Sequence, residues 1–320
     1  MEYDVLVLTA STIDLIIEMK GSFPILGGTS RCVKRSYPEP GGEGNMLIVC
    51  SRMGGKVLPA GPVANDWYGK FLLSSYCEEG IDIRCLKSVD DYETPVANCI
   101  VDENGTHTFV SRLGSYQFEN DEELIKPLEK CRGLYLTGYH MTDGTLPFCG
   151  LSLKLLKRAS ELKKDIFFDP GPVCGEIPKD ILKEVLLRAT VIALNQEEST
   201  ILTGQKTPKQ AAEILAEKTD ALILVKAGAQ GCYAITDKNR GKWYPGFQVP
   251  AVDTSGAGDS FFGAFIYAWQ HGMDTEKCII TANAAGAVKA SKPGTGTQVP
   301  TLTEIVDLLE KKGYNFLVRQ

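Results

Sequence analysis

The segment Asp253–Phe265, DTSGAGDSFFGAF, carries the strongest chemical signal in the sequence. Gly256 and Gly258 precede an amphipathic segment typical of a helix, and glycines at a helix N-terminus let backbone N–H groups point at an anion. Asp259 would then lie in the first helical turn beside that anion. A carboxylate there costs electrostatic energy unless it is useful, and a base that takes a proton from an attacking hydroxyl needs this location. The pattern predicts Asp259 as that base; a helix-capping acid is the competing interpretation.

Two other nucleotide-binding motifs are absent from the sequence. A P-loop needs a Gly-Lys pair followed by Ser or Thr, and the Gly-Lys pairs here are followed by valine, phenylalanine or tryptophan. A dinucleotide fingerprint needs a third glycine after Gly256 and Gly258, where Phe261 stands instead. Neither a P-loop enzyme nor a Rossmann dehydrogenase is therefore favoured.

A second glycine turn lies in residues 40–55, PGGEGNMLIVCSRMGG. The adjacent Gly41 and Gly42, placed before a helix-like segment, permit close backbone approach to a ligand, and Asn45 could bond its hydroxyl groups. Glycine turns before helices are also common without any ligand. This motif alone leaves both interpretations open.

The elements that must position these residues alternate along the chain. Short apolar runs such as YDVLVL, GLYLTG, DIFFD, TVIALN and ALILVKAG are each followed by a helical pattern. Helices are predicted over residues 147–164, 179–188, 208–218 and 258–271, and FQVPAV is predicted as a strand before Asp253. Uniformly apolar strands with helices between them predict an α/β fold, with a mainly parallel central sheet covered by helices on both faces.

One part of the chain departs from this alternation. Residues 94–112 contain two strand-like runs around Glu103-Asn104-Gly105, and Asn-Gly between such runs predicts a hairpin. Residues 11–37 also have an extended pattern. We expect these two segments to pair as a small β-sheet lid on a single domain that spans residues 1–320, since no linker or repeat divides the chain.

Composition restricts the function further. The formal net charge of −6 argues against a nucleic-acid partner, which would favour a basic face. No apolar run approaches the length of about 18 residues that a membrane span needs, and the N-terminal residues lack the pattern of a secretory leader. The ten cysteines are scattered and predict buried reduced thiols. A cytoplasmic location is expected.

Taken together, these motifs resemble the ribokinase (PfkB) family of carbohydrate and nucleoside kinases. DTSGAGD matches its C-terminal signature, GGEGN followed by SRMGG resembles its N-terminal one, and residues 59–81 resemble the segment that follows. Glu43 and the short spacing to Asn45 depart from the commoner GGxGxN form. The resemblance runs from about Val5 to Pro300. It implies a ribokinase-like fold and ATP-dependent, Mg²⁺-requiring phosphorylation of a hydroxyl group.

The resemblance also implies roles for individual residues. Backbone N–H groups of Gly256, Ala257 and Gly258 would hold the charge on the transferred phosphoryl group. Substrate hydroxyls would be bound by Asp14, Gly41, Gly42 and Asn45. The Asn-x-x-Glu motif, Asn195 and Glu198 in LNQEE, would organise phosphate and Mg²⁺ through water.

Further residues are implied around the nucleotide. Lys226 and Gly228 resemble strand-end residues near its phosphates. Asn283 matches a residue near the adenine, with helix packing as the competing explanation. Asp253, with the loop 291–298, resembles the monovalent-cation site found in many members, so a K⁺ requirement stays an open hypothesis.

A sugar is the first choice of acceptor, because an acid beside a Gly-Gly/Asn turn suits adjacent hydroxyls. A nucleoside would need an apolar slot, for which Tyr116, Phe118 and Tyr139 are candidates or else core residues. A sugar phosphate would need cations such as Lys34, Arg35 and Arg112. A non-catalytic binding protein on the same fold is the alternative from another class. The resemblance is also compatible with a homodimer through the lid.

Overall fold

The described part of the chain comprises residues 1–21, 23, 33–103, 107–112, 114–118, 120–236 and 241–318 of a computed structural model. Its strands, in chain order, are β1 (Tyr3–Leu8), β2 (Ile13–Met19), β3 (Val33–Pro40), β4 (Val57–Ala64), β5 (Cys85–Val89), β6 (Val96–Val101), β7 (His107–Ser111), β8 (Cys131–Thr137), β9 (Asp165–Asp169), β10 (Val191–Asn195), β11 (Leu222–Lys226), β12 (Gly231–Ile235) and β13 (Gly241–Pro245). Its α-helices are α1 (Glu43–Arg52), α2 (Trp67–Glu78), α3 (Glu122–Ile125), α4 (Pro147–Glu161), α5 (Lys179–Arg188), α6 (Gln196–Thr203), α7 (Pro208–Ala216), α8 (Ala257–Gln270), α9 (Thr275–Ala290) and α10 (Leu302–Lys311).

Nine of these strands form the main sheet, in the order β13-β12-β11-β10-β9-β8-β1-β4-β5. The strands from β11 to β5 run parallel, and β12 and β13 are antiparallel additions at one edge. Side chains alternate between the faces: Val5 and Val7 belong to the core with α1, α8, α9 and α10, whereas Leu6 and Leu8 belong to the core with α4, α5 and α7. The predicted mainly parallel sheet with helices on both faces is confirmed.

A second sheet of four strands has the order β3-β2-β6-β7. The strands β6 and β7 pair antiparallel, from Val101 opposite His107 to Ala97 opposite Ser111, which confirms the predicted hairpin strands. Strand β2 pairs with both β3 and β6, so the two predicted segments do meet in one small sheet. The hairpin tip at Asn104 and Gly105, and residues 22 and 24–32 of the first segment, lie outside the described residues.

The prediction of a strand at FQVPAV was wrong. Residues 247–252 form no strand. Pro250 has no N–H to donate to a sheet, and the N–H of Val252 donates instead to the carbonyl of Ala290 at the end of α9 (2.7 Å). The chain therefore leaves the sheet after β13 and reaches α8 as a loop tied to α9.

Nine cysteines within the described residues are free thiols, and seven of them are buried. This agrees with the expectation of scattered reduced cysteines in apolar surroundings. In the part of the chain that the structure describes, no helix has both the length and the apolar character that crossing a bilayer demands.

Candidate active site

A cavity of about 700 Å³ opens at the carboxyl ends of β8 to β11, where ligands commonly bind to α/β sheets. The small sheet contributes Ala97, Phe109 and Ser111 to its lining, and Arg112 follows directly after β7. The predicted site residues in the lining are Asp14, Gly42, Asn45, Asn195, Glu198, Lys226, Gly228, Gly256, Ala257, Gly258, Asp259 and Asn283. Gly41 and Asp253 are not in the lining, although each directly precedes a lining residue, Gly42 and Thr254. The structure thus brings most of the predicted residues to one place.

The N-terminus of α8 contains the predicted base. Gly256 has a left-handed backbone (φ 71°) as the N-cap, and no side chain caps this helix end. The N–H of Ala257 donates to the carbonyl of Thr254 (3.1 Å), and the positive end of the helix dipole lies at the cavity lining formed by Gly256, Ala257 and Gly258. Asp259 lies in the same turn, and burial among other acids, chiefly Asp169, raises its pKa to about 7. Lys226 and Asn45 oppose that rise. A carboxylate with this pKa can accept a proton near neutral pH.

Asn45 connects this turn to the second glycine motif. It lies in the first turn of α1 and donates from Nδ2 to Asp259 Oδ2 (3.0 Å), while its Oδ1 accepts from the N–H of Gly296 (2.6 Å). Helices α1 and α8 pack closely enough that a Cβ on Gly263 would lie 2.7 Å from the carbonyl oxygen of Met46. The second glycine motif is therefore joined to the first through Asn45.

Asp14 lies on β2, lines the cavity and is buried. Burial raises its pKa to about 6, although the nearby polar side chains of Thr295 and Asn45 lower it. Gly41 lies against it: a Cβ on Gly41 would be 2.2 Å from Asp14 Oδ1. The glycine is required because any side chain would displace this carboxylate.

Asn195 and Glu198 form a reciprocal capping box at the start of α6. Asn195 Oδ1 accepts from the N–H of Glu198 (2.9 Å), and the Glu198 carboxylate accepts from the N–H of Asn195 (2.7 Å). Burial, together with the charge of Asp169, raises the pKa of Glu198 to about 7. The motif therefore has a structural role of its own, and Glu198 also borders the cavity.

Asp169 was missed in the sequence analysis. It ends β9, and its Oδ2 lies 3.4 Å from Lys226 Nζ at the end of β11. Lys226 Nζ would in turn be 3.2 Å from a Cβ on Gly258. Burial lowers the pKa of Lys226, but the carboxylates of Asp169 and Glu198 raise it. The net effect is a pKa above the ordinary value for lysine. An acid ending an apolar strand, DIFFD, was the signal that could have identified it.

Asn283 and Gly228 also line the cavity. Asn283 is buried on α9 and donates to the carbonyls of Tyr244 and Pro245 (3.2 and 3.3 Å), so it ties this helix to β13. Gly228 has a positive φ of 55° and open space around it. Asn283 thus has the helix-packing role that was the competing explanation for it. Its contact with a nucleotide stays a prediction.

Asp253 precedes the glycine turn and is held by backbone donors. Its carboxylate accepts from the N–H of Ser255 (2.8 Å) and of Gly294 (2.7 Å), and His107 Nε2 on β7 lies 3.1 Å away. Burial raises the pKa of Asp253, but these contacts outweigh burial and hold the pKa well below its usual range. This acid thus links the turn to the small sheet and to the 291–294 loop.

Glu43, the departure from the commoner motif, is buried against the cavity. Its carboxylate lies 3.4 Å from His140 Nε2 and accepts from Thr9 Oγ1 (3.1 Å). Burial raises the pKa of Glu43 to about 7 and lowers the pKa of His140 to about 3. His140 was not singled out from the sequence, and with Glu43 it adds a polar pair to the cavity lining.

Of the three aromatic candidates for a base slot, only Tyr139 lines the cavity. Tyr116 and Phe118 pack edge-to-face on each other and against the core. Of the cationic candidates, Arg112 reaches the cavity and pairs with Glu93 (2.7 Å), whereas Lys34 is exposed on β3. Arg35, also exposed, pairs with Glu18.

Comparison with known proteins identifies the family. The model of the pfkB family of carbohydrate kinases matches residues 4–302. The chain belongs to this family. The pfkB assignment confirms the resemblance that the two glycine motifs carried, and with it the class of enzyme.

Similar proteins within the pfkB family include both a ribokinase and a fructokinase. A ribokinase of Haemophilus influenzae is 27% identical over 84% of this chain and 87% of its own length. A fructokinase of Vibrio alginolyticus is 27% identical over 83% of this chain and 90% of its own length. The fold is that of an Arabidopsis thaliana ribokinase solved with ribose and ATP, with a TM-score of 0.82, 20% identity and coverage of 97% and 99% of the two chains.

Proposed function

We propose that this enzyme transfers the γ-phosphoryl group of ATP to a hydroxyl group of a sugar or sugar derivative. The observation that carries the proposal is the position of Asp259, whose carboxylate shares the first turn of α8 with the Gly256–Gly258 backbone and lines the same cavity as Asp14. A base and an anion-binding turn are thereby adjacent, in the same cavity as an acid that suits adjacent hydroxyl groups.

In the proposed reaction the acceptor oxygen attacks the γ-phosphorus while Asp259 takes the hydroxyl proton. The new oxygen–phosphorus bond forms as the bond to the β-phosphate bridging oxygen breaks, and that oxygen leaves with the electron pair on ADP. Backbone N–H groups of Gly256, Ala257 and Gly258 would stabilise the charge on the moving group. Lys226, held beside Asp169 and close to Gly258, would neutralise nucleotide phosphate charge.

Oxygen donors suitable for Mg²⁺ border the cavity at Asn195, Glu198 and Asp169. Among the described residues, no three acidic, histidine or cysteine side chains converge as a ready-made metal site. Glu198 and Asn195 would therefore act on Mg²⁺ mainly through water. When bound, Mg²⁺ would supply neutralisation of phosphate charge.

A sugar is favoured over a nucleoside as the acceptor. Asp14, Asn45 and the pair of Glu43 with His140 give this end of the cavity a concentration of polar groups. Tyr116 and Phe118, the aromatic candidates for a base slot, pack into the core instead. The named relatives are a ribokinase and a fructokinase, and their equal identity to this chain leaves the choice of sugar to experiment.

We further propose one domain over residues 1–320, in which segments 11–37 and 94–112 act as a lid that excludes water. Cavity-lining residues on β6 and β7 support this role.

Phe109 and Val110 on β7 are 53% and 56% exposed, which supports a homodimer through the same sheet. The free thiols suit a reducing compartment and support a cytoplasmic location.

The test is ADP release with Mg-ATP across ketoses, aldoses, sugar acids, sugar phosphates and nucleosides, with Asp259→Asn measured in parallel. We expect one sugar class to drive ADP release, and the variant to lose roughly 10²–10⁴-fold in kcat. Turnover of nucleosides alone would replace the sugar proposal with its alternative. ATP binding without turnover of any acceptor would favour a non-catalytic binding protein.

A further inference from the structure

Lys289, in the last turn of α9, is a fully buried lysine that does not line the cavity. Its side chain is 0% exposed. Its Nζ donates to two backbone carbonyls, those of Asp253 (3.1 Å) and Lys292 (3.0 Å). A buried ammonium is costly unless negative groups compensate it, so its surroundings should be electronegative.

The surroundings of this ammonium have that character. The Asp253 carboxylate belongs to the same residue whose carbonyl binds Nζ, and it is held by the N–H groups of Ser255 and Gly294. Burial and the nearby charge of Lys292 lower the pKa of Lys289, and the negative charges of Asp253 and Asp259 oppose that change. Backbone carbonyls from two loops beside a carboxylate are also the oxygen donors that dehydrated monovalent cations prefer.

A monovalent cation at Asp253, as the family resemblance implies, does not fit these residues. Two carbonyls that would bind it already accept from Lys289 Nζ, and a second positive charge there would be repelled. We propose that the Lys289 ammonium is the built-in cation beneath the phosphate-binding turn, so that this kinase needs no added K⁺.

Lys289 would act as a positioning residue. It ties the carbonyl of Asp253, three residues before Gly256, to the loop after α9. The N–H of Val252 is fixed to the Ala290 carbonyl in the same region (2.7 Å). These hydrogen bonds fix the backbone at Val252 and Asp253, the segment that leads into the first turn of α8. Loss of the ammonium should therefore impair kcat more than acceptor KM.

The first experiment compares the unmodified kinase in K⁺, Na⁺ and tetramethylammonium chloride at equal ionic strength. Equal rates are expected, and strong dependence on K⁺ would overturn the proposal. Lys289→Ala should lose roughly 10-fold or more in kcat in tetramethylammonium, and K⁺ should restore part of the loss. Lys289→Met, which fills the space without a charge, should lose activity without rescue by K⁺. Full activity of either variant in tetramethylammonium would contradict the proposal.

The activity measurements rest on the proposed function. A second measurement, of thermal stability, does not depend on turnover and therefore not on that function. The melting temperature of Lys289→Ala should rise more in KCl than in tetramethylammonium chloride, with no such difference for the unmodified chain. The matched control is Lys164→Ala, which removes another buried lysine whose Nζ donates to the Cys131 carbonyl (2.7 Å). An equal K⁺ effect in this control would reject a specific cation site at Lys289. If Lys289→Ala does not fold, the activity of Lys289→Met and the rates of the unmodified kinase in the three salts still test the proposal.

Discussion

Asn45 Nδ2 donates to Asp259 Oδ2 over 3.0 Å, joining two side chains that are 214 positions apart in the sequence. The same amide accepts from the N–H of Gly296 through Oδ1 (2.6 Å), which fixes its orientation. The proposed base is therefore held by a residue of the second glycine motif that also lines the cavity. In the proposed mechanism, acceptor binding and proton transfer would share the Asn45 side chain.

We expect Asn45→Ala to lower kcat by about 10- to 100-fold, because a hydrogen bond to a charged group contributes about 1.5–3 kcal/mol. The amide also lowers the pKa of Asp259, so its loss should move the pH profile upward. Steady-state kinetics at several pH values measure both effects. A variant with reduced kcat but an unchanged pH profile would show that Asn45 acts on packing alone.

The pH dependence of kcat/KM should follow the ionisation of Asp259. Its pKa is raised to about 7, chiefly by burial, and the base works only when ionised. The rate should therefore rise with pH up to about 7 and fall about tenfold per pH unit well below it. The measurement uses excess Mg²⁺ and subsaturating substrates. An unchanged rate down to pH 5.5 would argue against this base.

Thermal stability of the ligand-free protein should fall as pH rises from about 5 to 8. Burial raises the pKa of Asp14 to about 6 and that of Glu43, Glu198 and Asp259 to about 7. Such groups ionise near pH 4 when unfolded, so these four acids give the folded state more protons in this interval, and stability is lost as pH rises through the folded pKa values. The lowered pKa of His140 opposes this trend only up to the ordinary histidine pKa of 6.5.

Melting temperatures across this pH range check the expectation. Asp259→Asn and Glu198→Gln should each show a weaker dependence, because each removes one raised pKa. The exposed control Glu217→Gln should retain the slope of the unmodified protein. A melting temperature that increases steadily toward pH 8 would contradict the prediction.

Gly41→Ala should raise acceptor KM by roughly 10- to 100-fold, since a displacement of about 1 Å at a positioned group can cost that much. The added Cβ would lie 2.2 Å from Asp14 Oδ1 and push the carboxylate away. The matched control is Gly150→Ala in α4, where nothing lies within 4 Å. It should keep its kinetics and gain about 0.5–1 kcal/mol of stability. Similar kinetics for the two variants would remove Asp14 from the acceptor site.

His107→Ala should loosen the small sheet over the cavity, because His107 Nε2 on β7 lies 3.1 Å from Asp253. Water would then compete with the acceptor. The expected result is a higher ratio of ATP hydrolysis to sugar phosphorylation. His107→Gln, which keeps a hydrogen-bond donor, should restore part of the coupling. An unchanged ratio in His107→Ala would mean that this contact does not control closure.

The sequence by itself determined the α/β fold, the two glycine motifs and the family to which they belong. Strand and helix periodicity is a local property, and DTSGAGD places Asp259 within three residues of Gly256. The helix predicted at residues 179–188 forms over those residues as α5. These features depend on neighbours along the chain, which is why they could be predicted without coordinates.

Only the tertiary structure decided which distant residues share the site. Asp169 and Lys226 meet because β9 and β11 end at the same edge of the sheet, on either side of β10. Lys289 would pass as an ordinary polar residue of α9 until its burial and its carbonyl partners are known. Such pairings depend on sheet order and helix packing, which bring together groups that have no fixed spacing in the sequence.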